Sequence, residues 1–180
     1  VRREVLDHNI VYEFRYILIL DSLTNIRRYA DDYGPKSSLP DYDFTKDRQH
    51  WWFVNAEDAG APVDGCLRLK VEQDDPQMIG PEAFWDAKDV PKLFIRAAFH
   101  TKQTEAELFW QTREQPGFSP ERRVKFTVQP DGKFHTYEVD LTGSAAYRGK
   151  ITGLRFDPVA AGSKGEFVDV AYVSFKKGDE

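Results

Sequence analysis

Arg155 and Asp157 stand two residues apart in the stretch AAYRGKITGLRFDP (residues 145–158), and Pro158 follows at once. In an extended chain residues two apart point to the same side, so the guanidinium and the carboxylate emerge together at one strand end. Two roles fit. The pair can fix the strand end and the following loop VAAGSKG, with Asp157 also accepting backbone N–H bonds, or it can meet a ligand directly. Other groups carry less chemistry. Glu138 and Asp140 in EVDLTG share a strand face, but a retaining glycosidase of the E-x-D-x-x-E kind needs a third carboxylate, and Gly143 stands there. Glu105 and Glu107 also share a face without a third acid and read as a solvated surface. Ser144 lies outside any G-x-S-x-G elbow. The histidines, His8, His50, His100 and His135, have no metal-ligand spacing. The one cysteine, Cys66, cannot form a disulfide within the chain and reads as a small core residue. The expectation is a protein without catalysis of its own.

The elements that position these groups are short. From about residue 42 onward, eight candidate strands alternate with turn signals: HWWFVN, DGCLRLKVE, KLFIRAAFH, AELFWQT, RRVKFTVQ, KFHTYEVDL, KITGLRFD and EFVDVAYVSF. In RRVKFTVQ, Val124, Phe126 and Val128 share one face, opposite Arg123, Lys125 and Thr127. PDGK at 130–133 reads as a hairpin turn. The absence of βαβ spacing predicts an all-β fold, an antiparallel β-sandwich or jelly roll with a short N-terminal appendage. That appendage is residues 1–38. IVYEFRYILIL reads as a strand, and DSLTNIRRYADDYG as a short helix capped by Asp21 or Ser22 and stopped by Gly34-Pro35. Residues 39–180 form the sandwich.

Composition agrees. The chain of 180 residues is 41% hydrophobic and 14% aromatic, which favours strands. Its net charge of −5 comes from interleaved acids and bases. With no basic stripe, nucleic-acid binding is not expected. The longest apolar run, YILIL, is too short to span a membrane as a helix. The chain begins with Val and shows no signal peptide, which suggests a piece of a larger protein.

Five motifs in order, DGCLRLKVEQDDPQMIGP, AELFWQT, DGKFHTYEVDL, YRGKITGLRFDP and EFVDVAYVSF, cover about three-quarters of the chain. Together they resemble the galactose-binding-like β-sandwich modules, of carbohydrate-binding-module type, that accompany bacterial polysaccharide-degrading and surface proteins. Tyr147 stands where that pattern has Trp. The resemblance implies a non-catalytic carbohydrate-binding module that brings a larger enzyme to a polysaccharide, at the cell surface or outside the cell. The alternative is a structural spacer that packs on neighbouring domains and binds no glycan.

The resemblance also implies a structural calcium between the first and last strands. Asp169, a carboxylate in the apolar strand EFVDVAYVSF, needs either a partner or an ion. Asp41 and Asp43 in PDYDF lie where the sandwich begins, so the three are the candidate ligands. For a glycan, exposed aromatic faces and neighbouring polar groups are required. Trp110 at a strand end, Arg113 in the polar loop after it and Tyr147 before another strand are the first candidates. Trp51 is a further one, although adjacent Trp51 and Trp52 must face opposite sides and one of them belongs to the core.

Overall fold

A computed structural model of the protein describes residues 16–33, 38–60 and 62–178. The chain divides into two compact units, Val1–Gly34 and Pro35–Glu180. In the first, helix α1 (Leu23–Tyr33) starts where the sequence predicts. Ser22 caps it, its Oγ accepting the Asn25 N–H at 3.3 Å. Asp21 accepts from the Ser22 N–H and the Asn25 amide. Those bonds, the Asn25 one foremost, hold its carboxyl below the usual range. The expected strand before the helix does not form over residues 16–20, which are irregular; residues 10–15 lie outside the described residues.

Among the described residues the second unit holds twelve strands: β1 (Asp41–Asp43), β2 (Trp52–Val54), β3 (Glu57–Asp58), β4 (Leu67–Lys70), β5 (Gln77–Ile79), β6 (Trp85–Asp86), β7 (Lys92–His100), β8 (Glu105–Thr112), β9 (Arg123–Thr127), β10 (Phe134–Asp140), β11 (Lys150–Asp157) and β12 (Phe167–Ser174). They make two antiparallel sheets. One runs β10-β7-β12-β4-β3, with β1 also on β12; the other runs β2-β5-β11-β8-β9, with β6 also on β11. All eight sequence-predicted strands are present. The four additional ones, β1, β3, β5 and β6, are two or three residues long, too short to show an alternation.

One expectation is corrected. PDGK does not close a hairpin, because β9 and β10 belong to different sheets. The turn is a crossover at the sandwich edge, tied down by Gly132 N–H donating to the Phe99 carbonyl at 3.1 Å. Gly132 has φ +70°, and a Cβ there would sit 3.0 Å from the His100 ring, so glycine is needed twice over.

The core lies between the sheets and is dominated by aromatic rings. Trp51, Trp85, Trp110, Phe44, Phe99 and Phe156 are among its fully buried side chains. Trp51 sits edge-on to Tyr42 and Phe44. Gly80 makes room for it, since a Cβ there would lie 3.1 Å from the indole. Cys66 is buried as expected. Its thiol donates to the Val63 carbonyl, and burial pushes its pKa up to about 11, so it stays protonated.

The loop between β11 and β12 folds back on the β4–β5 connection. Gly162 N–H donates to the Gln73 carbonyl, and a Cβ at Gly162 would lie 1.9 Å from the Val71 carbonyl oxygen. Gly162→Ala is therefore expected to destabilise the sandwich by about 1–3 kcal/mol in denaturant unfolding. Gly143→Ala, where nothing lies within 4 Å of the added carbon, should leave stability nearly unchanged; equal midpoints for the two variants would contradict this packing.

Candidate functional site

The outer face of the β2-β5-β11-β8-β9 sheet carries the candidate site. Alternation sends Phe53, Met78, Leu154, Phe156, Leu108, Trp110 and Val124 inward to the core. The residues between them form a row directly opposite one another across all five strands: Trp52, Ile79, Arg155, Phe109 and Arg123. Four strand spacings make this row about 19 Å long. A second row is Asp157, Glu107 and Lys125.

A cavity of about 340 Å³ opens on this face, floored by Phe109, Arg155, Asp157, Glu107 and Arg123. Phe118, Ser119 and Pro120 from the β8–β9 loop form one wall; Val159 and Ala160 from the β11–β12 loop form another. Gln103 clamps that second wall. Its side-chain oxygen accepts the Ala160 N–H at 3.0 Å, and its amide donates to the Ala161 carbonyl. The first wall is braced by Arg122, which donates to the Gly117 carbonyl at 2.7 Å and to the Gln115 side chain at 3.0 Å.

Arg155 is at the centre. Its Nε donates to Asp157 Oδ1 at 2.7 Å, and its Nη2 donates to both Asp157 Oδ2 and, at 3.1 Å, Asp75 Oδ1. Its guanidinium lies 4.5 Å from the centroid of the Phe109 ring, and that of Arg123 lies 5.8 Å away on the same ring. Phe109 is only 5% exposed in consequence. Burial pushes the Asp157 carboxyl above the usual carboxylate range, and the bond from Arg155 draws it back only in part. Arg123 also bonds Glu107 at 3.0 Å, and Lys125 bonds Glu105 at 2.6 Å and Glu107 at 3.0 Å. Glu105 and Glu107 thus line a built cleft and are more than a solvated surface. Arg155 and Asp157 are both structural and part of the cleft floor.

The sequence-predicted aromatic residues are elsewhere. Trp110 is fully buried because it points inward from β8; its ring packs edge-on to Tyr147 at 5.1 Å and its Nε1 donates to the Ala146 carbonyl. Tyr147 is also core. Its hydroxyl accepts from Trp85 Nε1 at 3.2 Å and donates to the Val90 carbonyl at 2.9 Å, and burial pushes its pKa up to about 12. Trp51 is the inward member of its pair, so Trp52, 45% exposed, is the ring that faces solvent. Arg113 is exposed on the β8–β9 loop, its backbone N–H donating to the Lys150 carbonyl. That loop and residues 146–149 do border a separate depression of about 670 Å³, lined by Glu114, Glu121, Arg122 and Arg148 among others, but Trp110 and Tyr147 are buried and offer it no open ring face. The usable signal was alternation itself: Trp51 inside puts Trp52 outside, and the polar side of RRVKFTVQ supplies Arg123 and Lys125.

The calcium expectation also changes. Asp169 is buried, but both of its oxygens accept from Arg68, at 2.7 and 2.9 Å, and His100 stands 3.7 Å away. The partner that burial demands is an arginine, and a guanidinium in that place repels a cation. Asp41 accepts from the Ser174 hydroxyl at 2.8 Å with Lys176 at 3.6 Å, and Asp43 accepts the Thr45 N–H. Among the described residues no group of three or more His, Cys, Asp or Glu side chains is placed to hold a metal ion. These three aspartates do not fit calcium.

Two outcomes follow. Arg155→Ala is expected to cost about 1–3 kcal/mol of stability in chemical unfolding, because Asp157 is left buried and unpaired; an unchanged midpoint would show the pair to be idle. Chelator and added calcium should both leave the melting temperature where it was, whereas a fall with chelator that calcium reverses would restore an ion to the fold.

No family model matches the chain, and no curated protein matches it. Solved structures do. A family 11 carbohydrate-binding module from Clostridium thermocellum, in complex with a beta-1,3-1,4-mixed-linked tetrasaccharide, is similar with a TM-score of 0.52 at 10% identity, over 81% of this chain and 100% of that one. PfGH50B is similar with a TM-score of 0.53 at 9% identity, over 78% of this chain and 24% of that one. The likeness shows the fold, an antiparallel β-sandwich.

Proposed function

We propose that this chain is a non-catalytic carbohydrate-binding module that holds a polysaccharide on the outer face of the β2-β5-β11-β8-β9 sheet. The observation that carries this reading is the cross-strand row that begins at the exposed Trp52 and runs over Arg155, Phe109 and Arg123 to the sheet edge. An indole face takes sugar C–H groups, and the planar carboxylates and guanidiniums beside it take hydroxyls. Every cation on the cleft floor is held by a carboxylate, an arrangement that suits recognition better than acid–base chemistry. The fold shared with a module solved around a mixed-linked tetrasaccharide supports the reading and makes that glucan the first probe. Targeting of a larger enzyme, outside the cell or at its surface, belongs to the same proposal.

One observation favours a second reading, a spacer that packs on a neighbouring domain. Tyr16, Ile17, Leu18, Leu20 and Leu23 are all exposed, an apolar strip of the kind that usually meets a partner.

One experiment separates the two. The chain is run through native gels containing a panel of polysaccharides. The binding-module reading predicts retardation by at least one of them, with a dissociation constant for a short oligosaccharide of about 10⁻⁴–10⁻³ M, since stacking on one ring contributes about 1 kcal/mol. Trp52→Ala should weaken that binding about fivefold to tenfold and leave the melting temperature unchanged. Trp110→Ala should instead lower the melting temperature. If no polysaccharide retards the wild-type chain, the spacer reading takes its place.

A further inference from the structure

The balance of charge on the cleft carries the reading further, to the class of glycan; this step rests on the outer face being the binding surface. Four carboxylates line it, Asp75, Glu105, Glu107 and Asp157, against two lining cations, Arg123 and Arg155, with Lys125 next along the row beyond Glu107. Each cation is already engaged. Arg155 spends its bidentate edge on Asp157 and reaches Asp75 as well. Arg123 is bonded to Glu107, and Lys125 to both Glu105 and Glu107. Arg155 has closed its fork on Asp157, and the charge of Arg123 is offset by Glu107, so a uronate carboxylate or a sulfate ester finds little net positive charge to bind. An anionic group entering here meets more negative charge than positive. A hydroxyl group meets the opposite situation. Carboxylate oxygens in an ion pair keep lone pairs that accept from sugar O–H groups, and the guanidinium and ammonium N–H groups outside the pairs remain donors for sugar oxygens.

We propose that the face selects uncharged polysaccharides and rejects uronate-bearing or sulfated ones. The cross-strand row supplies the length for a run of several neutral sugars, with Trp52 at one end as the stacking ring. The carboxylates act as hydroxyl acceptors and as a filter against negative charge.

The test is affinity electrophoresis of the intact chain against paired neutral and anionic gels, mixed-linkage β-glucan and xylan on one side, polygalacturonate, alginate and carrageenan on the other. Runs are made at low and high salt. Retardation by a neutral gel that salt leaves alone, with anionic gels at least tenfold weaker, supports the proposal. Retardation by an anionic gel that fades as salt rises overturns it while leaving a binding module in place. Retardation by no gel overturns both this proposal and the binding reading beneath it. The double variant Asp75→Asn with Glu105→Gln removes two of the four negative charges at side chains more than half exposed, so its fold should hold. It is expected to gain retention on the anionic gels relative to wild type; a correctly melting variant with no gain shows that charge is not what selects.

Discussion

Arg155 is the residue on which the site is assembled. It stands on β11, the central strand of its sheet, and three separate pieces of chain meet at its guanidinium: Asp157 at the end of its own strand, Asp75 in the β4–β5 connection, and the Phe109 ring on β8. Taking Asp157 out of water is costly, which is why its carboxyl is pushed upward, and only a fixed cation makes the burial tolerable. That requirement orients Arg155, and an oriented Arg155 in turn lies over Phe109 and fixes Asp75 at the cleft mouth. The distinction between a pair that holds a strand end and a pair that faces a ligand dissolves in this geometry, because the cleft floor is made of the structural contact.

Tryptophan placement follows from a different constraint. Three of the four indoles fill the space between the sheets, and the two neighbours Trp51 and Trp52 are split by the alternation of an extended chain. The core thereby decides which ring remains for function. Trp52 is exposed because Trp51 is needed inside, where Gly80 clears its place. On the other sheet the same economy of burial turns Asp169 toward Arg68. Two buried aspartates, one on each sheet, are each met by an arginine with a bidentate grip.

Much of this was legible in the sequence. Strands of five to nine residues announce themselves through alternation, and KLFIRAAFH is β7 residue for residue. The fold class followed from eight such runs without helical spacing. The polar side of RRVKFTVQ already marked Arg123 and Lys125 as outward. Other features depend on strand order, which no local pattern encodes. DG in PDGK signals a turn, but not whether the next strand joins the same sheet. Trp110 sits at a strand end, which suggested access; its inward parity on β8, shared with Ala106 and Leu108, decides the matter and follows only once the buried side of that strand is known. Asp169 shows the limit most clearly. Burial demanded a counter-charge, and a partner 101 residues away in sequence supplied it.

The central claim is that the sheet's outer face, with Trp52 as its one open indole, is where a glycan lies. Two-dimensional NMR of the indole N–H groups tests it directly, since the chain has four tryptophans and each gives one signal. On titration with the oligosaccharide of the best-retarding polysaccharide, the account predicts that the Trp52 signal moves progressively while those of Trp51, Trp85 and Trp110 stay in place. Movement of the Trp110 signal with Trp52 unmoved would contradict it and shift the site to the loop edge above Tyr147.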